Sequence, residues 1–369
     1  MKFEEFTLER NQSLFEHMVE YNLSESGVYP LKINNIFNRN EINQMLELEL
    51  TYGYTKGSPK LREEISKMYQ KKIGSENVLV TSGTAEANFI AFMINLEKND
   101  EVVYMTPNYL QLKHLSKSFG IKLKELPLKR ELGWQWDIDE LKKLVTRKTK
   151  MIIICNPNNP TGSIMSDDVM NEVVKVAELN DCWILSDEVY RGSELSGIES
   201  RSFAGLTEKV IVNGGLSKAY SLPGLRIGWS IGPKEYVENA WSLHDYTTIS
   251  VSYLSDWVAS KVLEPQRRKA ILNRTKYHLE KNAELVLKWS QEVSKLKIDA
   301  PQATAMIFAK INASIPSDNF VSDLRDKFGV LLTAGSWHGL EGYVRIGYGG
   351  DYDYIRKALN RVSRFLEKI

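Results

Sequence analysis

A lysine and an arginine eight residues apart are the side chains of this sequence best placed to do chemistry. Lys218 follows the apolar run 210–212 and lies in a turn rich in glycine and serine. A low-dielectric pocket would lower the pKa of its amine towards the neutral, nucleophilic form. Arg226 follows a Pro-Gly turn and is predicted to open a strand over 226–231, where its planar guanidinium could hold a phosphate. Taken singly, the two residues would be a surface lysine and an arginine that caps a strand.

A carboxylate occupies a second position of chemical interest. Asp187 comes at the end of the apolar run 183–186 and precedes Tyr190 by three residues. A lone buried carboxylate is costly unless it meets a cation. An aspartate at a strand end is common, but this one combines with Tyr190 and the later Lys218, and the combination favours a functional role.

Polar turns also follow other apolar runs of the chain. Asn159 lies in the run Asn-Pro-Asn-Asn-Pro-Thr-Gly that comes directly after the apolar segment 150–155. The segment Gly83, Thr84, Ala85 follows the apolar run 78–81 and precedes a helical pattern. Backbone N–H groups at the start of a helix point towards an anion, so this turn is predicted to bind phosphate.

The elements that must position these residues predict an α/β fold. Between residues 78 and 232, short apolar runs alternate with helical patterns, which is typical of a largely parallel sheet with helices on both faces. Ligands of such sheets bind beyond the carboxyl ends of the strands. Each candidate residue between 81 and 226 comes just after a strand or begins one, so these residues are predicted to form one site.

The rest of the chain predicts a second, smaller α+β domain. Helices are predicted over 6–21 and over 267–293, the latter running from one domain into the other. They are followed by a strand over 304–311, a helix over 318–328, a strand over 343–347 and a closing helix from residue 352. We predict a large domain over 45–265 and a small domain formed by the N-terminal arm, 1–44, with the C-terminal part, 266–369.

Together these motifs resemble a known enzyme family. Ser217, Lys218, Arg226 and Gly228 are similar to the Schiff-base segment of fold-type I pyridoxal-phosphate enzymes, the class I/II aspartate-aminotransferase family. The similarity covers essentially the whole chain, with every major motif in order. It implies that pyridoxal 5'-phosphate is the cofactor, that Lys218 forms a Schiff base with it, and that the lysine later moves a proton between substrate and cofactor.

The resemblance also implies roles for the other candidates. Asp187 would keep the cofactor ring nitrogen protonated, so that the ring can act as an electron sink. Tyr190 and Asn159 would hydrogen-bond the phenolic oxygen, Asn159 would also contact the substrate, and Tyr109 would stack on the ring. Arg345 would grip the substrate α-carboxylate through two hydrogen bonds. The remaining matches are the phosphate ligands and a loop residue near the substrate: Gly83, Thr84, Ala85, Ser217, Arg226, Tyr52 and Gly27.

Tyr52 matches a position that reaches the phosphate of the neighbouring subunit, which implies a homodimer.

Two departures from the family pattern are visible. Gly215 stands where relatives often have serine, which predicts one fewer phosphate hydrogen bond, and Ala303 and Ala305 stand where relatives often have glycine and a bulky aromatic residue. The second departure predicts an unusual pocket for the substrate side chain.

Three functions are compatible with these motifs. The leading hypothesis is an aminotransferase that moves an amino group between an amino acid and a 2-oxo acid. A β-eliminating lyase, of the carbon–sulfur type for example, or a decarboxylase could use the same scaffold, because fold does not determine reaction type. A non-catalytic binding or regulatory protein of this fold is the third, which the intact Lys218, Asp187 and Arg345 disfavour.

Composition excludes several classes of partner. The formal charge of +1, from 48 basic and 47 acidic residues, provides no electrostatic footprint for nucleic acid. No apolar run approaches the roughly 18 residues of a membrane span. Residues 1–5 lack the apolar core of a signal peptide. Cys155 and Cys182 fall in apolar runs and form no zinc site with histidines, so we expect buried thiols and a cytoplasmic protein.

Overall fold

The computed structural model describes residues 3–69 and 73–369, so Met1 and Lys2 of the N-terminus lie outside the described residues. The helices are α1 Thr7–Phe15, α2 Arg39–Leu46, α3 Pro59–Ser66, α4 Thr84–Asn95, α5 Gln111–Phe119, α6 Ile138–Leu144, α7 Asp167–Asn180, α8 Lys234–His244, α9 Tyr253–Val262, α10 Pro265–Ser290, α11 Ser317–Phe328 and α12 Tyr352–Leu366. The strands are β1 Tyr21–Asn22, β2 Val78–Thr81, β3 Glu101–Thr106, β4 Lys122–Pro127, β5 Thr149–Cys155, β6 Trp183–Asp187, β7 Val210–Gly215, β8 Gly228–Ile231, β9 Leu296–Ile298, β10 Met306–Ile311, β11 Val330–Leu331, β12 Thr333–Ala334 and β13 Tyr343–Gly347.

A seven-stranded sheet with the order β2-β8-β7-β6-β5-β3-β4 forms the centre of the molecule. Strands β3 to β7 are mutually parallel, whereas β8 runs antiparallel to both β2 and β7. The predicted α/β class, with a mostly parallel sheet, is therefore confirmed. None of the helices in the described ranges is both long and apolar enough to cross a membrane.

Alternate residues of the central strands enter two separate cores, one on each face of the sheet. In β3, Val103 and Met105 pack with α3, α6, α7 and α9, while Val102 and Tyr104 pack with α4, α5 and α8. Successive side chains of a strand point to opposite faces, so a strand covered by helices on both sides is apolar throughout. This explains the continuous apolar runs of the sequence.

A third core joins the N-terminal arm to the C-terminal part. Leu8 of α1 and Leu23 pack there with α11, α12 and the four-stranded sheet β12-β13-β10-β9. Helix α10 serves both regions, because Ile271 enters the core of the large sheet while Leu279 and Val286 enter the third core. The predicted domain division, 45–265 against 1–44 with 266–369, remains a prediction.

Three local features differ from the sequence-based expectations. The first helix ends at Phe15 rather than residue 21, because Tyr21 and Asn22 pair as β1 with Val330 and Leu331 of β11. Strand β4, with its mixed burial, is absent from the predicted set. Arg226 does not open a strand: it follows a short 3-10 turn with φ of 54°, and β8 begins at Gly228.

Candidate active site

The carboxyl ends of the parallel strands open onto a cavity of about 410 Å³. Asp187 ends β6, Ser217 follows β7, and Cys155 ends β5, so each strand delivers a side chain to the same edge of the sheet. The tertiary structure brings together ten of the candidate residues in the cavity lining: Thr84, Ala85, Tyr109, Asn159, Asp187, Tyr190, Ser217, Lys218, Arg226 and Arg345.

The other three candidates, Gly83, Gly27 and Tyr52, lie outside that lining. Gly83 is adjacent to it, because a Cβ on this residue would approach Arg226 Nη2 to 2.5 Å. A Cβ on Gly27 would contact Ser217 O at 3.3 Å and Lys218 Cδ at 3.4 Å, so this loop borders the lysine. Tyr52 is 82% exposed, away from the cavity of its own chain.

Lys218 lies in the turn after β7, with its side chain extending into the cavity. Its Nζ lies 3.8 Å from Glu25 Oε2, a carboxylate on the loop that faces the turn. The Lys218 ammonium and, more weakly, the Arg345 guanidinium lower the pKa of Glu25 below its ordinary value. A negative charge therefore lies beside the candidate nucleophile near neutral pH.

Asp187 lies at the end of β6, with both of its oxygens hydrogen-bonded. Asn88 Nδ2 donates to Oδ2 at 2.8 Å, and the backbone N–H of Val189 donates to Oδ1 at 3.1 Å. Desolvation raises the pKa of Asp187 to about 6, against the opposing effects of these two hydrogen bonds and of Lys218. Such a carboxyl group is poised to take a cationic partner.

A chain of buried polar side chains continues behind Asn88. Asn213 Nδ2 donates to Asn88 Oδ1 at 2.8 Å, and Ser230 Oγ donates to Asn213 Oδ1 at 2.6 Å. The Ser230 hydroxyl also contacts Tyr236 OH at 2.6 Å. Because the side-chain amides of Asn88 and Asn213 each have a hydrogen-bond partner on both sides, Asn88 is held with its Nδ2 directed towards Asp187.

The turn before α4 and the arginine after β7 form one end of the cavity. Gly83 has a φ of 80° and offers no side chain to cap α4, so first-turn N–H groups of this helix have no side-chain partner, and Thr84 and Ala85 of the first turn line the cavity. A Cβ on Gly228 would lie 2.4 Å from the carbonyl carbon of Gly83, so β8 packs directly against the turn. A side chain at Gly215 would meet Thr84 Oγ1 at 2.6 Å, which explains why no serine stands there.

Arg345 forms the opposite end of the cavity, and it is 1% exposed. Its Nη1 donates to Asn159 Oδ1 at 2.9 Å, and its Nη2 donates to the carbonyl oxygen of Ser24. Its Nε has no hydrogen-bond partner among the described residues. Burial lowers the pKa of Arg345 below its ordinary value. A buried guanidinium with a free N–H group is suited to bind an anion.

The two candidate tyrosines connect the cavity to the N-terminal arm. Tyr190 OH donates to Ser26 Oγ at 3.0 Å, and Tyr109 OH donates to Glu9 Oε1 at 2.7 Å. Burial raises the pKa of both phenols above the ordinary value, so both hydroxyls are protonated at neutral pH.

Comparison with known proteins identifies the family. The family model of the class I and II aminotransferases matches residues 26–362. The chain belongs to this family. A crystal structure of a pyridoxal-phosphate-dependent aminotransferase from Streptococcus suis is similar to it with a TM-score of 0.94 and 31% identity, covering 100% of this chain and 99% of that one.

Curated relatives of this aminotransferase have related names. The aspartate aminotransferase of Pyrococcus horikoshii is 28% identical over 326 residues, which cover 86% of this chain and 83% of that protein. The aromatic-amino-acid aminotransferase 2 of Thermococcus litoralis is 29% identical over 343 residues, which cover 89% and 88%. The protein is thus an enzyme, a transaminase dependent on pyridoxal phosphate, as predicted, and the lyase alternative is not favoured.

The residues of this aminotransferase fit the cofactor. The uncapped start of α4 next to Arg226 suits a phosphate, and the desolvated Asp187 suits a protonated ring nitrogen. Lys218 lines the same cavity as these groups and as Arg345, whose Nε has no partner among the described residues. Ala303 and Ala305 are buried and do not line this cavity. The residues that contact the substrate side chain in the cavity are therefore others.

Several residues of the site were not predicted from the sequence. They are Asn88 on α4, Glu25 and Ser26 on the loop before Gly27, and the residues Leu8, Glu9, Gln12, Ser13 and Glu16 from the α1 region. Asn88 had a recognisable pattern, since it lies one helical turn after Thr84 and precedes an otherwise apolar stretch. For α1, the sequence contained no indication that its polar face is turned towards the site.

Proposed function

We propose that Lys218 carries the pyridoxal phosphate of this transaminase, and that amino-group exchange between an amino acid and a 2-oxo acid takes place in the cavity described above. The observation that carries the proposal is the meeting of Lys218, Asp187 and Arg345 in one cavity lining. The bound cofactor supplies the electron sink that makes the proton on the substrate α-carbon labile.

Lys218 is proposed to work as both anchor and acid–base group. Its Nζ takes the proton from the substrate α-carbon and then gives it up on the cofactor side, while Tyr190 is the second catalytic candidate. The hydroxyl of Tyr190 and the amide of Asn159 are proposed to hydrogen-bond the phenolic oxygen of the cofactor. Both side chains are already oriented, Tyr190 by Ser26 and Asn159 by Arg345.

The phosphate is proposed to bind between Arg226 and the start of α4. Backbone N–H groups of Thr84 and Ala85 face this position, and Ser217 offers a hydroxyl from the opposite turn. Gly83 is needed because a side chain there would displace the arginine. Tyr109 is proposed to stack on the cofactor ring, with its hydroxyl held by Glu9.

Arg345 is proposed to bind the α-carboxylate of the substrate. Two of its nitrogens are held by Asn159 and Ser24, so the guanidinium plane is oriented before substrate arrives. The Nε of Arg345 supports this role, because it is buried without a hydrogen-bond partner among the described residues and a carboxylate oxygen could accept its N–H. Gly27 is proposed to border the same substrate from the facing loop.

The active unit is proposed to be a homodimer in which Tyr52 completes the phosphate site of the neighbouring subunit. A backbone pairing of Tyr52 with Ser252 brings together two segments that expose large apolar side chains. These side chains are Leu46, Leu50, Tyr52, Tyr54, Tyr246 and Ile249. Exposed apolar surface of this kind is typical of a protein interface.

The two buried free thiols, Cys155 and Cys182, support a cytoplasmic enzyme.

Reduction with borohydride followed by peptide mapping tests the site. We expect the yellow holoenzyme to retain the cofactor on the peptide that contains Lys218, and the Lys218→Ala variant to retain none. Lys209→Ala is the matched control, because Lys209 precedes β7 but pairs with Asp181 on the surface. Labelling of a different lysine would show that the site is wrong.

A further inference from the structure

We infer that the preferred amino donor carries a positively charged side chain, an ammonium or a guanidinium, which the acidic face of the α1 region recognises. This inference rests on the proposed function, since it takes Arg345 as the ligand of the α-carboxylate. It concerns a wall of the cavity in which the proposed roles assign only Glu9, as the acceptor of the Tyr109 hydroxyl.

That wall is formed by one face of the N-terminal arm. Gln12 Nε2 donates to the carbonyl oxygen of Ser24 at 3.0 Å and to Ser24 Oγ at 3.1 Å. The same carbonyl oxygen accepts a hydrogen bond from Nη2 of Arg345. The helix is therefore attached to the atom that also orients the carboxylate-binding arginine, so a substrate held by Arg345 lies directly beside α1.

Three carboxylates are grouped around this attachment point. Glu9 and Glu16 lie three residues before and four residues after Gln12, which places all three on one face of the helix and its last turn. Glu25 follows Ser24 in the chain and also lines the cavity. Glu25 and Glu9 both act on the Arg345 guanidinium electrostatically, so they lie within range of the substrate site.

The charges of the lining do not balance once the proposed roles are assigned. Its cations are Lys218, Arg226 and Arg345, and its carboxylates are Glu9, Glu16, Glu25 and Asp187. Arg226 takes the phosphate, Arg345 the α-carboxylate and Asp187 the ring nitrogen. Lys218, which lies 3.8 Å from Glu25, takes the role of anchor and acid–base group. The carboxylates of Glu9, Glu16 and Glu25 are then left in the lining with no cation assigned to them.

This imbalance discriminates between classes of amino donor. A second carboxylate on the substrate, as in aspartate or glutamate, would meet like charges at short range in a partly enclosed cavity. An aromatic side chain would cover ionised groups without compensating them. A terminal ammonium or guanidinium would form charge-assisted hydrogen bonds with the α1 carboxylates, which are the strongest contacts this wall can offer.

Equilibrium binding to the holoenzyme tests the inference without turnover. Calorimetry compares 5-guanidinopentanoate with 5-ureidopentanoate, which both present a carboxylate to Arg345, have no primary amine that could react with the cofactor, and differ in the terminal charge. We expect the dissociation constant of 5-guanidinopentanoate to be lower by about tenfold or more. Equal affinities, or tighter binding of 5-ureidopentanoate or of the dicarboxylate adipate, would overturn the inference.

Half-reaction kinetics then use matched donors, arginine with citrulline and lysine with norleucine. We expect kcat/KM to be at least about tenfold higher for the charged member of each pair. In the double variant Glu9→Gln, Glu16→Gln this ratio should fall towards one. The control Glu5→Gln should leave the ratio unchanged, because Glu5 belongs to the same arm but lies outside the cavity lining.

The outcomes separate the inference from the function on which it rests. If neutral or acidic donors convert the cofactor more efficiently than charged ones, the transaminase site is supported and the inference is wrong. If no donor converts the cofactor, or if Arg345→Lys changes neither binding nor kinetics of any donor, the proposed site fails and the inference fails with it. If the double variant does not fold, the binding comparison on the unsubstituted holoenzyme still decides.

Discussion

Asn88 on α4 donates a hydrogen bond from Nδ2 to Oδ2 of Asp187 at 2.8 Å, which joins a residue of the phosphate-side helix to the end of β6. The bond opposes the desolvation that raises the pKa of Asp187. Because Asn88 is itself held by Asn213, the orientation of the Asp187 carboxyl group depends on a buried series of hydrogen-bonded amides. Asn88 is therefore a positioning residue for Asp187.

Replacing Asn88 should alter the acidity of the site more than its fold. In Asn88→Ala we expect kcat to fall about tenfold, since one hydrogen bond to a charged group is lost. The acid limb of the pH profile of kcat/KM should move to higher pH, because the bond lowers the pKa of Asp187. Asn95→Ala is the control, as the side chain of Asn95 on the same helix donates to the carbonyl oxygen of Ala91 rather than to Asp187. An unshifted profile in Asn88→Ala would contradict the positioning role.

Asp187→Asn should lower kcat by about a hundredfold or more, equivalent to about 3 kcal/mol, because an amide cannot stabilise a positive ring nitrogen. The two side chains have similar volumes, so the variant should still bind the cofactor, as its absorbance would show. Asp181→Asn, at an exposed aspartate paired with Lys209, is the matched control. A nearly unchanged kcat in cofactor-loaded Asp187→Asn would mean that the carboxylate has another role.

The stability of the apoenzyme should also depend on Asp187, with a defined sign. Its pKa in the folded protein is about 6, above the ordinary 3.8, so the folded state binds more protons between these values. The unsubstituted protein therefore loses stability as pH rises from about 4 to 7, by up to about 3 kcal/mol from this group. That figure is an upper value, because the cavity exposes part of the carboxyl group.

Asp187→Asn lacks this titration. The difference in melting temperature between the variant and the unsubstituted apoenzyme should therefore shift in favour of the variant as pH rises through 6. Comparing only the difference cancels other titrating groups, such as the buried Glu188, whose pKa is raised to about 7 by desolvation. A difference that stays constant between pH 4 and 7 would contradict the raised pKa.

Arg345→Lys should affect substrate binding more than chemistry. Lysine keeps the charge but cannot form two parallel hydrogen bonds to a carboxylate, so we expect KM for the donor to rise about tenfold or more. The shorter side chain also leaves Asn159 and Ser24 without their present partner. Arg356→Lys, on the exposed face of α12, provides the control for an arginine-to-lysine change. A KM equal to that of the unsubstituted enzyme would exclude Arg345 as the carboxylate ligand.

Tyr52→Phe tests the proposed homodimer. If its hydroxyl binds the phosphate of the neighbouring subunit, the dissociation constant of the cofactor should rise about tenfold, with the oligomeric state unchanged. Tyr54→Phe, at an exposed tyrosine two residues away, should leave cofactor affinity unchanged. Sedimentation of the active holoenzyme provides the second measurement, and full activity in a stable monomer would contradict the dimer.

The sequence alone predicted the central sheet and most of the proposed cofactor site. Strands buried on both faces appear as continuous apolar runs, and polar turns directly after them must converge because parallel strands end at the same edge. That is why Asp187, Asn159 and Lys218 could be grouped without a structure. The residue at which each strand begins was predicted less well. Arg226 was predicted to open a strand, but it has a left-handed backbone conformation, for which the sequence has no clear pattern.

Only the tertiary structure decided which residues of the N-terminal arm line the cavity. The α1 region reaches the cavity through the bonds of Gln12 to Ser24 and through the pairing of β1 with β11, a contact between residues about 300 positions apart. A local sequence pattern does not predict such a long-range pairing. The sequence pattern of a short helix with an acidic face is also the same whether that face contacts solvent or lines a cavity. The hydrogen bond between Asn88 and Asp187 likewise depends on the packing of α4 against the end of β6, which the sequence did not indicate. Most of the proposed cofactor site could thus be predicted from the residues at the strand ends. The part of the cavity wall that the N-terminal arm forms depends on long-range packing and could not.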